Sequence, residues 1–272
     1  MQGYRQLRSW CLLLFAPPLN TRHRLLNGSG TEPARILAVT SAPLVIDIFH
    51  NPDFILNCPY TFADRYTGEA DYFKPGERIK RADGNMSWHT NFLPDIPGIS
   101  LDLLERKGAG VRITAYEMGG NILVGHLSEW TVGRYHKGHY HGGGAILYIV
   151  KSEGYTLMWP NKAGIRPYES GREDAIVRVD WKPGSVYCPP SGWYHQHFNT
   201  GPTQARQLAF RYGSHKYGLR FHDMQAGEGV YVSTRDGGAL IEYEDEDPAI
   251  RQMFEVELRK HNVECQMPNI AR

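Results

Sequence analysis

From residue 111 onward, apolar and polar positions alternate in short runs cut by glycine and proline. Period-two alternation is the pattern of strands with one face buried. Strands are predicted to start near Val111 and to recur over residues 121–129, 145–150, 155–159, 175–179 and 205–212. Turns are expected at Asn161-Lys-Ala-Gly164, Lys182-Pro-Gly184 and Thr200-Gly-Pro202. Short strands divided in this way predict a closed sandwich or barrel. Helical spacing is clearest near the C-terminus. Asp247 can cap a helix, Pro248 suits its first position, and Ile250, Met253, Phe254 and Leu258 form one apolar face. This helix, about 248–261, is expected to pack on the outside of the barrel or at a dimer interface. The acidic run 244–247 is read as complementing the helix dipole, not as a metal site.

Upstream the pattern is less regular. Residues 36–48 form an apolar, β-branched run read as a strand, and residues 101–107 a short helix ending at Gly108. Residues 50–100 are rich in aromatics and proline, the composition of an ordered arm lying on a barrel. Within it, the stretch around Trp88-His89 (85–95) is read as an arm packed on a sheet, with a lid over the barrel mouth as the alternative. The organisation expected is a disordered leader (1–35), an N-terminal arm (36–110), a barrel (111–215) and a C-terminal extension (216–272). The fold class is mainly β.

Composition narrows the partners. Thirty Lys and Arg against 29 Asp and Glu leave a net charge of +1, with no basic run of the kind that grips nucleic acid. No apolar stretch approaches the ~20 residues that span a bilayer. Arg5 and Arg8 precede the apolar run 10–17, but no small-residue cleavage site follows, so a cytoplasmic location is expected. Four scattered cysteines fit a reducing compartment. Cys188 is read as a small buried residue with no role as a nucleophile.

Two histidine clusters carry the chemistry. The first is Gly133-Arg-Tyr-His-Lys-Gly-His139-Tyr-His141; the second runs from Gly184 through Pro190, Gly192, His195 and His197 to Asn199. Side chains two apart on a strand share a face, so His139 with His141, and His195 with His197, can each reach one point. If the strands are neighbours, His139, His141 and His195 can hold one divalent first-row metal, with Fe(II), Mn, Ni, Cu and Zn all open. Asn199 and Gln196 are candidate partners to fix the ring tautomers.

These segments resemble the cupin superfamily, whose motifs read G-x5-H-x-H-x3/4-E-x6-G and G-x5-P-x-G-x2-H-x3-N. The second is matched by Gly184, Pro190, Gly192, His195 and Asn199, and the first by Gly133, His139 and His141. The first then departs: Ala145 stands where the family has its glutamate ligand, and Ser152 replaces the closing glycine. The resemblance covers roughly residues 120 to 212 and implies a double-stranded β-helix (jelly-roll) barrel with a metal site. The glutamate-free pattern looks like gentisate dioxygenase and its relatives, which cleave aromatic rings with Fe(II). Those relatives place a carboxylate-binding arginine where this chain has Leu147, so a carboxylated phenol requires Arg134, Arg206 or Arg211 to substitute. They are also usually double barrels, whereas one motif pair is found here.

The chemistry expected is that of an Fe(II) dioxygenase acting on a small aromatic or enolisable molecule, in a homodimer or higher homo-oligomer. His197 is the candidate catalytic acid/base; it, His136 or Glu153 can alternatively supply a fourth ligand. Tyr155, Trp159, Trp193, Tyr194 and Phe198 are candidate pocket aromatics, with ordinary core as the plainer reading. Two other functions stay open: a non-redox isomerase, lyase or hydrolase with Zn, Mn or Ni, and a metabolite-binding barrel without turnover.

Overall fold

A computed structural model of the chain describes residues 12–81, 84–120, 122–212 and 229–270. Twelve strands are described: β1 Leu14–Phe15, β2 Glu77–Lys80, β3 Met86–His89, β4 Phe92–Leu93, β5 Arg112–Glu117, β6 Leu123–Trp130, β7 Ile146–Lys151, β8 Gly154–Pro160, β9 Val177–Trp181, β10 Val186–Tyr187, β11 Trp193–Asn199 and β12 Ala205–Tyr212. Three α-helices join them: α1 Ala42–Phe49, α2 Pro52–Leu56 and α3 Pro248–Lys260. One sheet has the order β10-β7-β12-β6-β5-β3-β2, and a second β11-β8-β9. Together they form the expected mainly-β barrel with a C-terminal helix.

Each strand of the large sheet divides its side chains by parity. Trp130, Leu147, Ile149, Ala205 and Ala209 pack inward with Trp181 and Tyr187. Leu127 and Leu208 point the other way and are covered by Leu93, Ile96 and Leu101 from the N-terminal arm. The second sheet behaves alike. Its outer residues Tyr155, Leu157, Trp159, Tyr194 and Phe198 pack against Ile250, Phe254 and Leu258 of α3. Each of those α3 side chains is at most 1% exposed, and burial of this kind contributes about 1.5–3 kcal/mol per residue. As expected, Asp247 caps α3, its carboxylate accepting from Ala249 N, and it also accepts from the backbone of Tyr168 and Glu169.

Several expectations are corrected. Part of the run 36–48 is helical rather than extended: α1 begins at Ala42, with Pro43 in its first turn, where a missing N–H is harmless. A helix over 101–107 contracts to a 3-10 turn, Glu105–Lys107, because Leu103 bridges to Arg112 as a continuation of the sheet. Residues 12–16 are not a loose leader: β1 pairs with β4, and Leu12, Leu14 and Ala16 pack on the arm core. Residues 1–11 of the supposed leader lie outside the described residues, as do 216–228 of the C-terminal extension. Within 85–95, β3 runs parallel to β5 and antiparallel to β2, as the reading of an arm packed on a sheet expects and the alternative of a lid does not. Cys188 is exposed, since Tyr187 takes the inward position beside it. The aromatics Tyr155, Trp159, Tyr194 and Phe198 are ordinary core, as the plainer reading expects, in the cluster under α3 and not in a pocket. No helix among the described residues is long and apolar enough to cross a membrane.

Candidate metal centre

The two histidine clusters meet through the backbone. His139 and His195 exchange both N–H···O=C bonds, at 3.2 and 2.8 Å, and Gly192 N donates to His141 O at 3.0 Å. Residues 135–141 therefore lie along the free edge of β11. The pairing is Tyr135 with Phe198 at one end and His139 with His195 at the other, which requires a one-residue slip between them. That bulge changes the face presented. Tyr135 points outward into the α3 cluster, while His136 and His139 both point inward. Gly133 starts this segment with φ of 67°, and a Cβ there would sit 2.1 Å from Glu264 O, so only glycine fits.

His139, His141 and His195 are 6%, 5% and 3% exposed, and one ring nitrogen of each lies within 4.8 Å of the other two. No carboxylate, thiol or further imidazole of the described residues joins this group. Each Nδ1 faces a backbone carbonyl: Lys137 O at 3.0 Å, Gly142 O at 3.2 Å and Trp193 O at 3.0 Å, respectively. A carbonyl only accepts, so each Nδ1 carries the proton and each Nε2 keeps its lone pair. Burial, reinforced by nearby positive charge, keeps the rings neutral: His195 is held at about 3, and His139 and His141 well below the usual range. Three neutral donors with fixed tautomers fit a divalent transition-metal ion. The tautomers are set by carbonyls rather than by the anticipated side chains. Gln196 lies on the opposite face and donates to Glu246, and Asn199 ties the strand end to Thr131 O and Thr203 O.

Deeper in the barrel a second group is wired differently. His197 is paired opposite Thr156 in the β8–β11 register. Its Nδ1 lies 2.9 Å from Thr156 Oγ1 and 3.1 Å from the Tyr187 hydroxyl. Tyr187 donates on to Gln207 Oε1 at 3.2 Å, and Trp181 Nε1 donates to Thr156 Oγ1 at 3.1 Å. Hydroxyls both give and take, so this nitrogen is not locked as a donor. The His197 ring is 5.5 Å from that of His195. His136 packs edge-on to Trp130 at 4.5 Å, and its Nε2 is buried without a partner. Neither joins the three-histidine group. Glu153 is exposed and faces His261.

The arginines separate as well. Arg206 is spent outside the barrel on Glu129 and on the carbonyls of Ile96 and Ile99. Arg134 approaches Gly110. Arg211 alone shares the inward parity of Ala205 and Ala209 on β12. Sequence reading missed Lys107, which is 5% exposed and whose charge is the strongest acting on His139. A lysine next to a glycine in a turn carries no sequence signal for burial.

No protein-family model and no curated protein matches the chain. Solved structures similar to it include cupin-fold proteins. The capsular polysaccharide assembling protein CapF from Staphylococcus aureus is 14% identical, with a TM-score of 0.32; the overlap covers 41% of this chain and 29% of CapF, so the chain spans less than a third of it. The polyketide cyclase RemF from Streptomyces resistomycificus is 16% identical over 43% of this chain and 75% of RemF, with a TM-score of 0.32. A "predicted oxalate decarboxylase" from Thermotoga maritima is 20% identical over 40% of this chain and 85% of that one, with a TM-score of 0.30.

Proposed function

We propose that the chain is a metal-dependent enzyme of cupin type. In this reading His139, His141 and His195 ligate one Fe(II), and the substrate is a small aromatic or enolisable organic molecule that is oxidised by dioxygen. The observation that carries the reading is the donor set: three neutral Nε2 atoms converge with no carboxylate among them. Up to three further positions on an octahedral ion would then be available to substrate and oxygen. When bound, the metal supplies Lewis acidity and electron transfer between the two.

The chain supplies the remainder. The carbonyls of Lys137, Gly142 and Trp193 hold the donor rings in one tautomer, so no proton has to leave before coordination. Trp130, Leu147 and Ile149 give the interior an apolar wall beside the histidines. His197 takes or returns a proton at its ring, with Thr156 and Tyr187 able to donate or accept at Nδ1 as its charge changes. Ala145, buried at 9% exposure, adds no negative charge.

The same His197 network also supports a non-redox reading, in which a carbonyl is polarised and His197 shuttles a proton. Turnover decides between them. Iron-loaded protein should consume oxygen in step with an enolisable substrate, and zinc-loaded protein should be inactive. Equal turnover without oxygen, with zinc in place of iron, overturns the dioxygenase reading and leaves the metal site intact. The proposal includes a homo-oligomer in the cytoplasm; light scattering that gives the mass of one chain overturns the assembly.

A further inference from the structure

The acids before α3 do not share one task. Asp247 caps the helix and holds the backbone at Tyr168, and Asp245 pairs with Arg235. Glu246 is placed differently. It is 2% exposed, and its carboxylate accepts from the Tyr135 hydroxyl and from Gln196 Nε2, the latter at 3.0 Å. A carboxylate is costly to bury unless donors surround it. Complementing the helix dipole gives no reason for that burial, because exposed Glu244 serves the same end from the surface.

The two donors belong to different histidine-bearing segments. Tyr135 starts the stretch that carries His139 and His141, and Gln196 lies between His195 and His197 on β11. Both side chains sit on the outer face, away from the rings. The slip in pairing falls at this place: residues 136–138 stand opposite 196–197, between the Tyr135–Phe198 and His139–His195 pairs. A bulge weakens the ladder locally, and a shift of one residue would turn His139 off the metal-facing side. Glu246 holds one strand just before the slip and the other strand at it. The chain leading to Glu246 adds to the hold. Ile241 N donates to Gly138 O at 2.7 Å, Tyr140 N to Ala239 O at 3.3 Å, and the Tyr243 hydroxyl to Tyr135 O at 2.7 Å. Leu240 bridges to His139, and Glu242 pairs with Lys137, whose carbonyl faces the His139 ring. The His139 stretch is thus a middle strand, with β11 on one edge and residues 239–243 on the other.

We propose that Glu246 is a positioning residue for the three-histidine centre: by tying Tyr135 to Gln196 across the outer face, it fixes the register in which His139, His141 and His195 meet. The inference rests on the metal reading for what those histidines hold, whereas the tie itself is present without metal. Tyr135 stays a donor, since burial first and the Glu246 charge next raise its hydroxyl well above the usual range. The C-terminal extension, which lies outside the cupin-like stretch, then completes the site. Glutamine at position 246 can keep the tie, its oxygen accepting from Tyr135 and its amide donating to Gln196 once that amide turns over. Alanine cannot.

Four variants of the full chain test this by zinc competition with a chromophoric chelator and by hydrogen exchange of the metal-free protein. Glu246→Ala should weaken zinc about three- to tenfold, less than the ~10–100-fold of a direct outer partner. Its His136, His139 and His195 amides, which pair across the slip, should exchange at least about tenfold faster, while those of β5 and β6 keep their rates. Tyr135→Phe keeps the ring in the outer cluster and removes only the hydroxyl, so it reads the tie in a protein that folds; it should move both readouts in the same direction. Glu246→Gln should restore both. Leu258→Ala loosens α3 without touching the tie and should change neither. Zinc affinity unchanged in both Glu246→Ala and Tyr135→Phe overturns the proposal, as does an equal loss in Leu258→Ala, which would mark general loosening. Should the natural protein take up no zinc, the metal reading falls, and exchange across the slip still decides the tie: unaltered rates in Tyr135→Phe and Glu246→Ala overturn it.

Discussion

Two groups of histidines share the barrel interior, yet their surroundings prepare them for different work. His139, His141 and His195 each give their Nδ1 proton to a backbone carbonyl, which cannot give one back. His197 instead shares its Nδ1 with two hydroxyls that can reverse roles. Both groups are buried and neutral, so burial does not distinguish them. The partner does. A carbonyl fixes a lone pair for a metal, whereas a hydroxyl pair lets a proton move.

The difference breaks most visibly on metal uptake. His195→Ala should cost more than the ~10–100-fold that loss of an outer partner brings, and His197→Gln should change metal affinity by less than tenfold, both read by competition with a chromophoric chelator. Comparable losses in the two variants would erase the distinction between the groups.

Acid should strain both groups together. His136 and His195 are held at about 3 in the fold against 6.5 for a free ring. Between those values the unfolded chain binds more protons than the folded one, so stability of the metal-free protein should fall as pH drops from about 6.5 towards 3, and change little from this source above pH 7.5. Urea midpoints across that window check it; a flat profile would show the rings are not neutral and buried as described. Next in size, Thr156→Val removes the hydroxyl that serves His197, Tyr187 and Trp181, and should cost about 1–3 kcal/mol in chemical denaturation while zinc stoichiometry stays at one. The smallest effect is expected one position beyond β10: Cys188→Ser, exposed beside inward-facing Tyr187, should stay within about 0.5 kcal/mol of the natural protein.

What the sequence disclosed follows from range. The H-x-H and P-x-G-x2-H spacings are local, and strand parity turns them into side chains on one face, so the three-histidine group was legible. β12 was expected at residues 205–212 and is observed as Ala205–Tyr212, a strand of eight residues set off by the turn at Thr200-Gly-Pro202. The helix after Asp247 was legible from its cap and its apolar face. Parity also shows why the candidate pocket aromatics are core, as the plainer reading had them, and not pocket lining. Tyr194 and Phe198 alternate with His195 and His197, so if the histidines point in, those rings must point out. Other features depend on contacts between distant segments. The slip between Tyr135 and His139, the carbonyl locks on the rings, and the burial of Lys107 have no local signature. For the same reason α1 was taken for a strand: Val45, Ile46 and Ile48 favour extended backbone locally, but among the described residues no strand pairs with this segment.

X-ray absorption of the iron- or zinc-loaded protein tests the central claim most directly, since it counts donors around the ion. The account predicts three imidazole nitrogens at about 2.0–2.2 Å, with the imidazole scattering pattern lost in His139→Ala. An ion surrounded by oxygen alone, or by a single imidazole, would contradict it.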